Sequence, residues 1–527
     1  LISSGGALRA TKSVLKLTLA ETTLSPTQLE KKANKILAKL EEKGLVVYRA
    51  FADEFRIWQG SDFDLRTAVE IARKSISQTP LHKLLNEVSD LGPVVAARVS
   101  QDKGVLRVFS QVFADLSKDS SVITQIDEHI DGLVVFSTSA DSDLKNLDFQ
   151  DSNKPVVVLI PQDLDLLHDI ALEVTAIHQV LNQSTEQGLD WVARKELIER
   201  YVVVKQKLQE VTSVAWLTSS LWFCVAPKLQ KLDSAKGLSS ALSVVSDLVY
   251  SKTPRVSNEM IARRELTGQG AKARRTLLDS IRTSLNVEAF GITGFGPDRA
   301  IYEAVFRSTG LHAYTKASGW QIKRPTDPLW SEVWDVLNDS VDAATKERVS
   351  ISEIQSKLSR APYGLKEGVL PLLSFAVLAN RKNDLAIYEH GSFILDLDDA
   401  VLERLAKNPG NFTVRNYAAK SKSRSLYLSE IVNAFGISNA NTEDTFIQIV
   451  KALYREIYSL NPYAKNTKAT LSKQSVAIRQ AFLTASEPDR LLFEQIPQII
   501  GAEPIYPETK LSHPDASSLA LSIAGYF

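Results

Sequence analysis

The stretch from Arg348 to Leu397 constrains the fold of this chain more than any other. Ile351, Ile354 and Leu358 recur at i, i+3 and i+7, which predicts a helix with one apolar face. Pro362 and Gly364 end it. Val369 to Ala379 is almost wholly apolar and predicts a second, buried helix. Leu385–Tyr388 and Ser392–Leu395 then predict two strands. They flank Glu389-His390-Gly391, a three-residue connection with glycine where a positive φ is needed. The expected order is helix, turn, helix, hairpin.

A similar order occurs near the start. Ser25-Pro26 reads as an N-cap with proline at the first helical position. Leu29, Ala33, Ile36, Leu37 and Leu40 form the apolar stripe, and Lys43-Gly44 ends it. Leu45–Arg49 and Phe55–Trp58 predict strands joined by Phe51–Glu54. Both segments follow the plan of a winged helix. Lys31, Lys32, Lys35 and Lys39 fall on the exposed side of the first module's helix, where they could meet phosphates. Glu30, Glu41 and Glu42 dilute that charge, and a solvated face is the alternative. Gly6 to Ser13 ends in Lys-Ser like a Walker A loop. Thr11 stands where the second glycine belongs, and no strand precedes it, so an ordinary helix is expected.

Between the modules the pattern changes. Val94–Val99, Leu106–Phe113, Gly132–Phe136 and Pro155–Ile160 predict strands, the last two continuously apolar, as in strands covered on both faces. Ser121–Ile130 and Asp163–Leu181 predict helices, completing a small α/β unit. Asp127, Asp131 and Asp163 lie near strand ends, where ligands bind in open sheets, although acids are common in such loops. Leu189–Leu221 predicts one long helix, with Trp191, Leu197, Tyr201, Val204, Leu208 and Val211 for packing. Val256–Leu285 predicts a basic helix. Gly291 to Pro297 is spaced G-x-x-G-x-G and reads as a turn starting a helix at Asp298. Trp320, Trp330 and Trp334 are expected core or interface anchors. The tail from Gly501, with its prolines, is expected to be loosely ordered.

Composition sets outer bounds. Lys+Arg and Asp+Glu are both 62, so a preference for nucleic acid must be local. Cys224 is the only cysteine, which excludes an internal disulfide and a cysteine zinc site and suits a cytoplasmic location. No run of 18 apolar residues suggests a membrane helix. The chain starts with Leu1 and has one methionine, Met260, which suggests an internal piece of a larger protein.

The densest local charge follows the second hairpin. Arg404, Lys407, Arg415, Lys420, Lys422 and Arg424 occur without an intervening acid, with Phe412 and Tyr417 interleaved. Cations with aromatics beside a wing make these the candidate nucleic-acid-binding residues. A basic loop without a partner is the alternative.

Four motifs carry a family resemblance. They are Tyr48 with Arg56-Ile57-Trp58-Gln59-Gly60-Ser61-Asp62-Phe63-Asp64, then Gly294-Phe295-Gly296-Pro297-Asp298-Arg299-Ala300-Ile301-Tyr302-Glu303, then Pro362-Tyr363-Gly364-Leu365-Lys366-Glu367-Gly368, and Arg490-Leu491-Leu492-Phe493-Glu494. With these the chain resembles the C-terminal region of large bacterial P-loop (AAA+-like) ATPases of anti-phage defence systems, with BREX-associated ATPases as distant relatives. The resemblance implies modules that transmit nucleotide state to DNA or to partner subunits. ATP and Mg would belong to the parent protein, because no Walker A, Walker B or arginine finger can be matched here. No catalytic residue and no metal ligand is assigned.

The expected fold class is α+β and predominantly α-helical, multidomain, with winged-helix modules and a small α/β subdomain. The expected domains are 1–78, a helix plus winged-helix-like module; 79–185, the α/β subdomain; 186–345, a helical region; 346–412, the second module; and 413–527, a C-terminal helical region. The expected function is a non-catalytic coupling or binding region contacting DNA or partner subunits of a defence complex, without a membrane. The alternatives are a protein-interaction scaffold, or a nucleotide-binding enzyme with its site near Asp131 and Asp163.

Overall fold

A computed structural model describes residues 9–19, 25–50, 52–57, 60, 63–118, 121–124, 126–127, 129–139, 154–161, 163–183, 190–217, 220–225, 228–232, 237–417, 421–436, 446–469, 471–485 and 487–526. The protein is α+β and predominantly helical. It divides into two compact units. One is Leu1–Ala96 with Arg107–Val245, the other Ala97–Leu106 with Ser246–Phe527.

The first unit opens with α1 (Lys12–Thr18) and α2 (Pro26–Glu42), followed by a hairpin of β1 (Val46–Arg49) and β2 (Glu54–Ile57). Thr11 caps α1 by accepting from the Val14 amide. Ser25 and Gln28 form a reciprocal capping box on α2, which satisfies two amides that a helix start leaves orphaned. Ala10, Leu15, Leu37, Val46 and Phe55 make a small core that ties the helices to the hairpin. Helices α3 (Leu65–Ser75) and α4 (Leu81–Val88) lead into a six-stranded sheet. Its spatial order is β3 (Val94–Val95), β4 (Val108–Ala114), β5 (Gly132–Ser137), β6 (Val156–Ile160), β7 (Ser220–Val225), β8 (Lys228–Lys231). β4, β5 and β6 run parallel, while β3, β7 and β8 pair antiparallel. Every residue of β6 is buried, as expected for a strand covered on both faces. The short α6 (Ser121–Thr124), with α7 (Asp165–Asn182) and α8 (Trp191–Leu217), completes this unit.

Several sequence expectations are corrected here. Only Val94 and Val95 are strand; Ala97–Lys103 is helix α5, and it belongs to the second unit. Short apolar runs do not distinguish the two states. The helix at Ser121 ends at Thr124 rather than Ile130. The long helix ends at Leu217, and Leu221 lies in β7, antiparallel to β6. Trp191 is 66% exposed instead of packed, while Leu197, Val204 and Leu208 are buried.

α9 (Leu238–Val249) leads into the second unit. There follow α10 (Gly268–Ser284), α11 (Pro297–Tyr302) with a π-turn at Glu303–Arg307, and a hairpin of β9 (His312–Thr315) and β10 (Gly319–Ile322). Residues 256–267 are not helical, contrary to expectation. α12 (Pro328–Asp342) buries Trp330 and Trp334. β11 (Val349–Ser350), α13 (Ile351–Ser359), α14 (Leu370–Asn380), β12 (Leu385–Glu389) and β13 (Ser392–Phe393) then follow in the order expected. The hairpin closes through two residues, not three, because Glu389 pairs with Ser392. His390 and Gly391 both have positive φ (48° and 83°), which fits the turn that matches strand twist.

α15 (Asp399–Lys407) then brings back β14 (Phe412–Asn416), which inserts between β11 and β12. The sheet is therefore four-stranded, in the order β11, β14, β12, β13. The rest is α16 (Lys422–Phe435), α17 (Phe446–Ser459), α18 (Pro462–Asn466), α19 (Lys473–Thr484), the short α20 (Pro488–Arg490), α21 (Ile496–Ile499) and α22 (His513–Tyr526). The expected loose tail thus ends in a helix. Ala516, Ala520 and Ile523 are buried on one side of it, so packing overrides the proline-rich approach.

Candidate nucleic-acid interface

Of the six candidate cations, Lys420 lies outside the described residues. Arg404, in the last turn of α15, makes a two-pronged contact with Glu389 of β12 at 2.6 and 2.8 Å. The hydrogen bond to Glu389 raises the Arg404 pKa and lowers that of Glu389. Lys407 pairs with Glu403 at 2.8 Å, one helical turn away. Arg424 donates to the Ile505 carbonyl at 3.0 Å and lies 4.3 Å over the Phe493 ring; burial lowers its pKa. Lys422 is exposed on α16.

Arg415 sits in a polar cluster of the second unit. It reaches Glu487 at 2.6 Å and Asp489 at 3.0 Å. Arg348 meets Glu487 at 2.6 Å and stacks 3.6 Å over the Tyr388 ring. The Tyr417 hydroxyl lies 3.2 Å from Glu487 and 3.1 Å from the Tyr388 hydroxyl. Burial pushes both phenols well above their ordinary value. Burial pulls the Arg415 pKa down, but Tyr417, Asp489 and Glu487 outweigh it and the value rises. The cluster fastens β12 and β14 to the segment at α20. Its carboxylates already accept from two guanidiniums and two phenols, and its cations point at acids of the same chain. The missing acids of the 404–424 stretch arrive from residues 389, 487 and 489, which sequence proximity could not show.

The first module differs. α2 buries Ala33 and Leu37 and exposes Lys31, Lys35 and Lys39 at every fourth position. These three have no hydrogen bond or ion pair among the described residues. Glu30 is occupied by Lys16 at 2.5 Å. α14 occupies the matching place before the second hairpin, yet every residue from Leu370 to Ala379 is buried. It cannot enter a groove.

The candidate acids of the α/β unit accept hydrogen bonds from groups of their own chain. Asp131 is buried, takes a hydrogen bond from buried Arg107 at 3.0 Å and accepts from the Val108 amide at 2.8 Å. Asp163 accepts from the Asp165 amide at the start of α7, and Asp127 from the His129 amide. Gly291–Pro297 is a turn that opens α11 with no strand before it. Among the described residues, no group of three His, Cys, Asp or Glu side chains could hold a metal ion, and no helix is long and apolar enough to cross a membrane.

Comparison with known proteins returns no matching family model, no matching curated protein and no matching solved structure.

Proposed function

We propose that this chain is a binding and coupling region that contacts the DNA backbone through α2. One observation carries the reading: Lys31, Lys35 and Lys39 form an exposed, unpaired stripe on the helix directly before a hairpin. In winged-helix proteins the helix at that place lies in the major groove while neighbouring groups hold phosphates. The 404–424 stretch is a weaker candidate, since Arg404, Lys407, Arg415 and Arg424 are held by groups of their own chain. The tie to an ATP-driven defence protein rests on the four motifs alone. In that reading ATP and Mg act elsewhere, and this region passes the nucleotide state on to DNA.

Fluorescence anisotropy with a short labelled duplex tests the proposal. Binding is expected to weaken steeply between low and moderate salt. Lys31→Glu, Lys35→Glu and Lys39→Glu together should weaken it by ~100-fold and reduce the salt slope by about 3, while Arg404→Glu with Lys407→Glu changes it little. Equal binding by the α2 variant would remove α2 as the contact. No binding at low salt, together with a salt-insensitive assembly in light scattering, would favour the scaffold reading. The exposed Trp191, Ile198 and Val202 on one face of α8 support that alternative.

A further inference from the structure

The second unit holds a cavity of about 80 Å³ between α10, α14, β12 and α17, several times what one water needs. Ile281, Phe375, Leu378 and Leu397 give it an apolar wall. Three cations also line it: Arg282, Lys382 and Lys451. Arg282 is occupied by Asp279 and Asp399. Lys382 and Lys451 have no hydrogen bond or ion pair among the described residues. The nearby Asp396 is paired with Arg455 at 2.5 Å. Lys382 is exposed and Lys451 half-buried, and Asp396, the acid that acts on Lys451, is shared with Arg455, so the two ammoniums bring more positive charge to the cavity than that one carboxylate matches.

We propose that this cavity is a binding site for a small organic carboxylate, whose short apolar tail lies against Phe375 and Leu378 and whose carboxylate accepts from Lys451 and Lys382. An apolar cavity with a few placed polar groups is the usual form of a small-molecule site. Burial pulls the Lys451 pKa below its ordinary value, and a bound carboxylate would reverse that. Inorganic anions lack the tail, and neutral molecules leave the lysines unmatched. The site is independent of the DNA reading, because α2 belongs to the other unit.

Calorimetric titration and thermal melting of the full chain test the site, with butanoate as ligand, butanamide as its neutral isostere and phosphate as the tail-less anion. Butanoate should bind and raise the melting temperature in a concentration-dependent way, and the other two should not. Lys451→Met keeps the side chain's length and removes its charge. It should melt no lower than the parent chain without ligand and bind butanoate ~10–100-fold more weakly. Ala379→Leu, which fills the cavity from α14, should abolish binding with Lys451 intact. Equal shifts with butanamide, undiminished binding by Lys451→Met, or no butanoate binding at all would each overturn the proposal.

Discussion

At the scale of single residues, His312 shows how packing sets chemistry. Its Nε2 faces the Leu285 carbonyl at 3.1 Å; a carbonyl only accepts, so Nε2 carries the proton. Nδ1 then accepts from the Tyr302 hydroxyl at 3.0 Å. The ring stacks 4.1 Å from Phe290. Ala289 and Phe290 lie in the left-handed region, at φ 51° and 52°, a strain of ~1–2 kcal/mol per residue. Burial lowers the His312 pKa from 6.5 to about 4. The folded state therefore binds the proton less well than the unfolded chain. The stabilisation is full above about pH 6.5 and drains away as pH falls towards 4, by on the order of 3 kcal/mol. Urea midpoints between pH 7 and pH 4.5 should fall accordingly, and His312→Asn should flatten that part of the profile. An unchanged slope in the variant would place the acid sensitivity elsewhere.

At the scale of elements, α2 and α14 stand in the same place before a hairpin and have opposite surroundings. α2 is stippled with lysines every fourth residue, and only one side of it can be buried. α14 is Leu-Pro-Leu-Leu-Ser-Phe-Ala-Val-Leu-Ala-Asn, so no side of it can face water at low cost. Its one buried hydroxyl, Ser374, accepts from the Gln355 amide at 3.1 Å and is satisfied. Gly368, just before it, passes so close to the Ile261 carbonyl that a Cβ would lie 2.2 Å from that oxygen. Leu372 is fully buried, and Leu372→Ala should cost ~3 kcal/mol in chemical denaturation. A cost below ~1 kcal/mol would mean that the helix closes up around the deletion. These elements were legible in the sequence because period and apolar run length are local properties. β14 is not legible as a strand in the sequence: its five residues look like loop until β11 and β12 supply partners on both sides.

At the scale of the whole molecule, each unit has its own apolar clusters. Val135, Val156 and Val158 centre one in the first, while Leu372, Phe375 and Val377 belong to the main one of the second. Calorimetry is expected to show two transitions, with Val158→Ala moving one and Leu372→Ala the other. A single transition moved by both variants would show that the chain unfolds as one cooperative body.

The residues by themselves determined the helix–hairpin modules and the buried strands β5 and β6, since these follow from spacing and side-chain type. Only the tertiary structure decided which cations remain available. Ion pairing depends on distance in space, and Glu389, Glu487 and Asp489 come from 15 to 74 positions away to meet Arg404 and Arg415. The same folding leaves Lys31, Lys35 and Lys39 to the solvent and places Lys451 at the wall of a largely apolar cavity.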